Sequence, residues 1–498
     1  MTSCRIPIVV CVVVFSLVKT VKADKVQIGS KAFTESVILG ELATQLGASA
    51  GVTTVHQSQL GGTRVLWQAL LSGQIDAYPE YTGVIIQELI PDTPADLSAI
   101  KSKLLEHGIG MTRPLGFDDT YALGVPEALA RRWNLHAISD LRRHPEFRFG
   151  LSNEFLNRKD GWPALKQAYE LSPANVTGLD HDLAYSAISS GSVDVMDLYS
   201  TDAEIAFYHL QRLTDDRHVF PAYEAFYLYR LDLQKKAPKF IQAMERLEGA
   251  IDASTMVAMN ASAKLQKVPE SRVASEFLVS HFQVKTNLQE QSLVAQLITR
   301  TGEHLTLVGI SLAASIFVAI PLGILAYVRP RLGQVIVSLV AALNTIPSLA
   351  LLMFMIPAFG IGTSPAIVAL FLYGLLPIVR NTHAGLAGIA AGLRESAIVL
   401  GLSPVARLFQ IELPLAAPAI LAGIKTAAVI NVGNATIGAL IGAGGFGQPI
   451  LTGIRLADHK LILLGAVPAA ILALVAQGGF SLLEHAVVPR GLRMQAHQ

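Results

Sequence analysis

ESAIVLGLSPVARLFQIELP, residues Glu395–Pro414, is the stretch on which the reading of this chain turns. It lies inside the most apolar part of the sequence, yet it carries Glu395, Arg407 and Glu412. Such charges are costly in a hydrocarbon layer. The stretch is therefore expected outside that layer, as a loop of short helices ended by Pro414. Gly401 allows a tight turn between two of those helices. Ala397 permits close approach, and Glu395 offers a charge to basic groups on a soluble partner.

Working outward, apolar segments long enough to cross a bilayer flank the loop. Five spans are expected at about 304–328, 334–356, 365–382, 415–440 and 461–487. Gly309, Ala313 and Ala314 in the first, and Gly423 and Gly433 in the fourth, suit close helix packing. An odd number of crossings puts residue 303 and the C-terminal tail on opposite sides. Arg329, Arg331, Arg380, Arg394, Arg407, Arg490 and Arg493 then share one face, against Arg455 and Lys460 on the other. By the positive-inside rule the first face is cytoplasmic, and the 395–414 loop lies there. Lys425, inside the fourth span, and the nearby Asn431 and Asn434 are pathway candidates, since polar groups at that depth need a partner or water.

The 498 residues divide into two kinds of sequence, and the mean hydropathy of +0.45 averages them. Most of the Asp, Glu and Lys fall before residue 295, and the net charge of +1 gives no nucleic-acid footprint. Residues 1–23 have the positive start, apolar run and small residues (Val21, Ala23) of a signal peptide, with an uncleaved anchor as the alternative. The two cysteines, Cys4 and Cys11, both lie there, which excludes disulfides and cysteine–metal chemistry from the rest. Residues 24–285 alternate strand-like runs (VQIGS 26–30, VTTVHQ 52–57, FRFGLSNEF 147–155, VDVMDLYS 193–200) with helical ones. This alternation predicts two α/β lobes joined by crossings near 118–122 and 213–222, a clamshell with its ligand between the lobes. Residues 286–303 read as a short linker without a flexible Gly/Ser spacer. The fold class is thus multidomain: a two-lobed α/β clamshell resembling periplasmic binding proteins, fused to an all-α transmembrane domain over 304–490.

Tyr78, Tyr81, Tyr121, Tyr199 and Tyr223 fall at expected strand ends. Converging tyrosines can hold a quaternary ammonium, which has no N–H and is gripped only by ring faces. In GSKAFTES (29–36), GGT (61–63), SGQIDAYPEYTG (72–83) and DDTYALGV (118–125), the chain resembles the substrate-binding proteins of glycine betaine/carnitine/choline ABC transporters. That resemblance implies a four-tyrosine cage, at Tyr81, Tyr121, Tyr199 and Tyr223. It also implies a lysine and an arginine for a ligand carboxylate, at Lys31 and Arg158. Relatives often read YTGT where this chain has YTGV. Val84 removes a hydroxyl, so betaine, choline, carnitine and ergothioneine all stay open.

The spacing Glu395, Ala397, Gly401, Ile411, Leu413, Pro414 resembles the EAA loop of importer-type ABC permeases, with Ser396 for the usual first alanine. ALNTIPSLALL (342–352), YGLLPIVRNTHAGL (373–386) and GGFGQPI (444–450) resemble betaine permeases. The resemblance implies a coupling helix docked on a separate ATPase subunit, a permease homodimer, and residence in a bacterial inner membrane with the lobes outside. HExxH, GxSxG and GxxxxGK[ST] are absent, so neither an enzyme nor a cofactor is expected. A membrane-tethered solute sensor is the alternative of another class, although it would have no use for an EAA-patterned loop.

Overall fold

The computed structural model describes residues 25–91, 93–284, 292–456 and 458–488. The export segment expected at 1–23 lies outside these residues, as does 286–291 of the expected linker.

Two five-stranded sheets form the N-terminal half. The first has the order β2-β1-β3-β10-β4, from Thr54–Gln57, Val26–Gly29, Ala77–Tyr81, Ala225–Arg230 and Ile109–Met111. The second has the order β7-β6-β8-β5-β9, from Asn175–Leu179, Arg148–Ser152, Val195–Tyr199, Tyr121–Pro126 and Leu210–Leu213. Strands β1 and β3 are buried along their whole length, as central strands covered on both faces must be. The chain leaves the first lobe after β4 and returns through β10. Its two crossings touch at an isolated bridge between Asp118 and Glu224. The expected crossing points lie within these segments.

Helix α1 (Thr34–Ser49) is the axle of the first lobe. It is buried on nearly every face, between the sheet and helices α2 (Ala253–Lys264) and α3 (Glu270–Phe282). Its N-terminal residues, Thr34 and Glu35, open onto the space between the lobes.

The second half is helical. Helix α4 (Leu293–Val328) is 36 residues long, so the stretch read as the end of a linker, 293–303, is the start of the first span. The second expected span is not one helix. It is α5 (Pro330–Thr345) and α6 (Ser348–Phe359), bent by 98°. The cause is Pro347, which bars the α conformation at the residue before it; Ile346 is accordingly extended, with ψ 126°. The carbonyl of Ile346 accepts the hydroxyl of Tyr373, on α7 (Thr363–Ala387). Four helices are long and apolar enough to cross a bilayer, or five with the bent pair as one span. The bent pair links opposite ends of the bundle: Tyr327, at the end of α4, meets Glu412 of the 395–414 loop. Val328 ends α4 away from the lobes, whereas Ile361, just past α6, bonds Gln74 of the first lobe.

A short helix, α8 (Ala391–Val399), opens the 395–414 loop, and Gly401 turns it with φ +79°. Pro414 does not end the loop. A π turn over Leu408–Glu412 leads straight into α9 (Leu413–Ala435), where proline sits in the first turn without a broken bond. Helices α10 (Gly447–Arg455) and α11 (His459–Val487) complete the bundle. Gly423 packs on Pro377 and Asn381, as expected of a small interface residue, and Gly323 packs on Thr382. Gly309 and Gly433 meet nothing within 4 Å. They lie on faces turned away from the other helices of the chain.

Replacing Cys4 and Cys11 gives a cysteine-free background for testing this topology. Introduced singly, Lys460→Cys and Val399→Cys are both exposed. In sealed right-side-out vesicles an impermeant maleimide is expected to label Lys460→Cys at once, and Val399→Cys only after the membrane is opened. Labelling of both from one side would remove the odd number of crossings.

Candidate ligand-binding site

A cavity of about 300 Å³ lies between the lobes, lined by Phe33, Tyr81, Tyr121, Tyr199 and Tyr223. Sheet register builds most of this aromatic wall. Strands β5 and β8 pair with Tyr121 opposite Tyr199, and the rings lie 5.2 Å apart. Tyr223, just before β10, meets Tyr121 edge-on at 5.5 Å. Phe33 lies 6.3 Å from both Tyr81 and Tyr199 and closes the ring between the lobes. A Cβ at Gly83 would come within 2.3 Å of the Tyr223 ring, so glycine there is what admits that ring. Burial pushes the phenols of Tyr81, Tyr121, Tyr199 and Tyr223 up, so all four stay neutral and present electron-rich faces.

Lys31 and Arg158 also line the cavity, but each already has a carboxylate within the chain. Lys31 Nζ bonds Glu80 at 2.5 Å. Arg158 forks onto Asp160 at 3.0 and 2.6 Å and reaches Glu88 of the first lobe at 3.0 Å. Its guanidinium lies 5.8 Å from the centre of the Tyr121 ring. Arg158 therefore bridges the two lobes as well as facing the cavity. Val84 forms part of the wall.

Tyr78 is not in the wall, which corrects the sequence expectation. It is fully buried among Trp67, Ile75 and Phe226, on the far side of β3. An odd separation along a strand puts two side chains on opposite faces, and Tyr78 is three residues from Tyr81.

No motif or spacing announces the polar cluster that closes the cleft. Glu35 accepts from Tyr81 Oη (2.6 Å) and from Asn260 Nδ2 (3.0 Å), and its Oε2 lies 2.6 Å from Thr201 Oγ1 of the second lobe. Asp119, in the crossing segment between β4 and β5, lies 2.7 Å from the same hydroxyl. One hydroxyl has one proton to give, so Glu35 and Asp119 hold one more between them. Burial raises both carboxyls, Asp119 the further because Glu35 stands beside it. Nearby, His181 bonds Asp202 at 2.9 Å and lies 4.3 Å from the Tyr199 ring. Burial disfavours the imidazolium, but Asp202 and Asp197 outweigh that and hold it charged. Asp202, buried but facing His181 and Lys264, is held down to about 2. Lys264, on α2 of the first lobe, bonds Asp182 (2.8 Å) and Glu204 (2.7 Å) of the second. The lobes are thus closed, and charge-assisted bonds hold them so.

On the other side of the bundle, the 395–414 loop presents Ile398, Val399, Leu400, Val405 and Phe409, each more than half exposed. Glu395, Gly401 and Pro414 are exposed, and Ile411 and Leu413 are half-buried. Ala397 is 1% exposed, so its small side chain allows close approach to the protein's own bundle rather than to a partner. Glu412 is also buried, held by Arg407 at 3.0 Å. Of the pathway candidates, Lys425 bonds Ser481 on α11 (2.9 Å), and Asn431 is buried against Ser311 (3.1 Å). Asn434 lines a small gap beside Tyr373 and Leu352. The three do not converge on one path.

Residues 24–280 match the family described as the substrate binding domain of ABC-type glycine betaine transport systems. Residues 319–490 match the binding-protein-dependent transport system inner membrane component. The choline transport system permease protein OpuBB of Bacillus subtilis is 40% identical over 198 residues, 40% of this chain and 91% of that protein. The carnitine transport binding protein OpuCC of Listeria monocytogenes is 32% identical over 266 residues, 51% of this chain and 86% of that protein. The ergothioneine transport permease/ergothioneine binding protein EgtU of Helicobacter pylori is 36% identical over 257 residues, 50% of this chain and 46% of that protein.

The shared hydroxyl makes closure proton-linked. Parting the lobes would take Thr201 away from Glu35 and relieve the burial that raises both carboxyls. In closed lobes the raised pair keeps a proton. Between the relieved and the raised values closure takes up a proton, so affinity weakens as pH rises through that window. Calorimetric titration with a trimethylammonium probe, in buffers of different ionisation enthalpy, should report that uptake. Glu35→Gln should abolish it. A wild-type binding enthalpy independent of buffer would refute the shared proton.

Proposed function

The chain belongs to the ABC-type glycine betaine transport family, carrying its substrate-binding domain and an inner membrane component in one polypeptide, and on that premise we propose how it works. The two lobes face outward and close on a trimethylammonium solute of the glycine betaine, choline or carnitine type. The helical bundle, a multi-pass unit of the inner membrane, then passes the solute inward. Energy comes from a separate ATPase subunit docked on the 395–414 loop. The transporter works as two copies of this chain with two such subunits, since closed two-fold assemblies are the common solution.

One observation carries this reading: five aromatic rings surround one cavity, and the four phenols among them stay neutral. A quaternary ammonium has no N–H, so a hydrogen-bonding pocket gains little from it. Ring faces and dispersion hold it instead, at about 2 kcal/mol or more per desolvated contact. The carboxylate end is less well served. Lys31 and Arg158 are engaged within the chain, and Val84 offers no hydroxyl.

Ergothioneine is the second reading. A cavity of about 300 Å³ leaves room beyond a bare trimethylammonium group, and the Helicobacter relative's name joins permease and binding protein in one chain.

The apolar surface of the loop supports the docking assignment. Val399 is 87% and Leu400 77% exposed, beside Phe409 at 63%. Contiguous exposed apolar side chains on a cytoplasmic loop mark a contact surface.

Titration of the full chain with glycine betaine, choline, carnitine and ergothioneine tests the ligand class and ranks its members. Tyr121→Ala should weaken the preferred ligand at least about tenfold, or ~1.4 kcal/mol; unchanged affinity would take Tyr121 out of the site. Leu400→Glu should abolish co-purification of the ATPase subunit while ligand affinity stays at the wild-type value. Retained association would move the docking surface elsewhere.

A further inference from the structure

The first lobe and the outer face of the bundle meet in a specific contact, centred on one permease residue. Arg455, at the end of α10, is only 6% exposed. It donates to Thr34 Oγ1 at 2.8 Å and forms an ion pair with Glu270 at 2.5 Å, both in the first lobe. Around it, Gln59 Nε2 bonds Thr452 Oγ1 (2.8 Å), and Lys267 bonds the Leu456 carbonyl. Two left-handed glycines complete the contact. A Cβ at Gly442 would meet Leu60 at 2.5 Å, and one at Gly360 would meet Gln74 at 2.0 Å. Gln59, Leu60, Gln74, Lys267 and Glu270 all belong to the first lobe.

Thr34 gives this contact its significance. It begins α1 and lines the ligand cavity, and the next residue is Glu35. Glu35 is the carboxyl that bonds Thr201 of the second lobe across the cleft. A single turn of helix therefore connects the closure latch to the permease. The charges make that turn sensitive. A guanidinium at a helix N-terminus faces the positive end of the helix dipole. Glu270 offsets this, and burial leaves Arg455 no water to fall back on. A shift of the α1 terminus when Thr201 leaves Glu35 is thus felt at Arg455.

We propose that Arg455 is the residue through which the permease senses closure of the lobes. The first lobe stays seated on α10 and the glycine loops, and the second lobe is the moving part. The Arg455–Thr34 bond, steadied by Glu270, passes the state of the cleft to the bundle. Arg455 is a coupling residue and touches no solute.

This proposal rests on the importer function above, and the test separates the two. The full chain and its ATPase subunit are reconstituted in proteoliposomes, with the solute that binds best in titration as the probe. Solute affinity, solute-stimulated ATP hydrolysis and uptake are each measured. Arg455→Gln should leave affinity within about twofold and cut stimulation and uptake at least about tenfold. The double variant Arg455→Gln with Glu270→Gln leaves no orphaned charge and should be uncoupled in the same way. Thr34→Val, which keeps the ion pair, should lose stimulation in part. Wild-type uptake in both glutamine variants would overturn the proposal. So would a loss of uptake matched by an equal loss of affinity, since that marks a merely structural role. A wild-type assembly that no solute stimulates would instead defeat the importer function itself.

Discussion

The contact between Glu35 and Thr201 is where the two lobes of the binding half become a single device. It crosses the cleft, and most of what surrounds the ligand cavity depends on it. With that bond made, Tyr81 is fixed by its own bond to Glu35, and Asn260 bridges the same carboxyl and the Thr201 carbonyl. Bonds to charged groups contribute about 1.5–3 kcal/mol each when their partners are well placed. Several such bonds line this cleft, including Arg158 to Glu88 and Lys264 to Asp182. They allow closure to be favourable when a solute fills the aromatic wall. They are also few enough to be broken again when the solute must leave.

The membrane half obeys a different constraint. Its backbone must satisfy itself, and every departure from helix needs an internal partner. The break forced by Pro347 is matched by the hydroxyl of Tyr373 on the Ile346 carbonyl. Asn431 finds Ser311, and Ser315 donates to the Phe371 carbonyl. Gly374 on α7 lets Ser315 of α4 come close enough for so short a side chain to reach. Among the described residues, the bonds between the halves named above all come from the first lobe. The second lobe has none of the interdomain bonds described above, which leaves it free to swing.

Much of the architecture was legible in the sequence, because its signals are local. Apolar run length marked the spans, and glycine at 401 marked the turn in the 395–414 loop. The four tyrosines of the cavity wall were legible too, since each sits at or beside a strand end. Where the reading failed, the deciding information was not local. Tyr78 looked like its neighbour Tyr81, but strand parity turns it into the core. Strand β7 is almost wholly exposed and carries no alternation to announce it. Pro414 reads as a stop, yet a π turn ahead of it lets the helix continue. Phe33 lies inside GSKAFTES, but nothing local to that motif marks its ring as facing the cleft.

The sequence by itself determined that an α/β clamshell is joined to a bundle of apolar helices, and that a charged loop lies on the side opposite the lobes. Composition and periodicity suffice for this, because hydrocarbon excludes charge whatever the fold. Only the tertiary structure decided which acids and bases face one another. Glu35, Asp119, Thr201 and Asn260 come from four separate segments, and Arg455 reaches Thr34 across 421 residues of chain. Hydrogen bonds and ion pairs act over a few ångströms in space, and no spacing along a sequence encodes a distance of that kind.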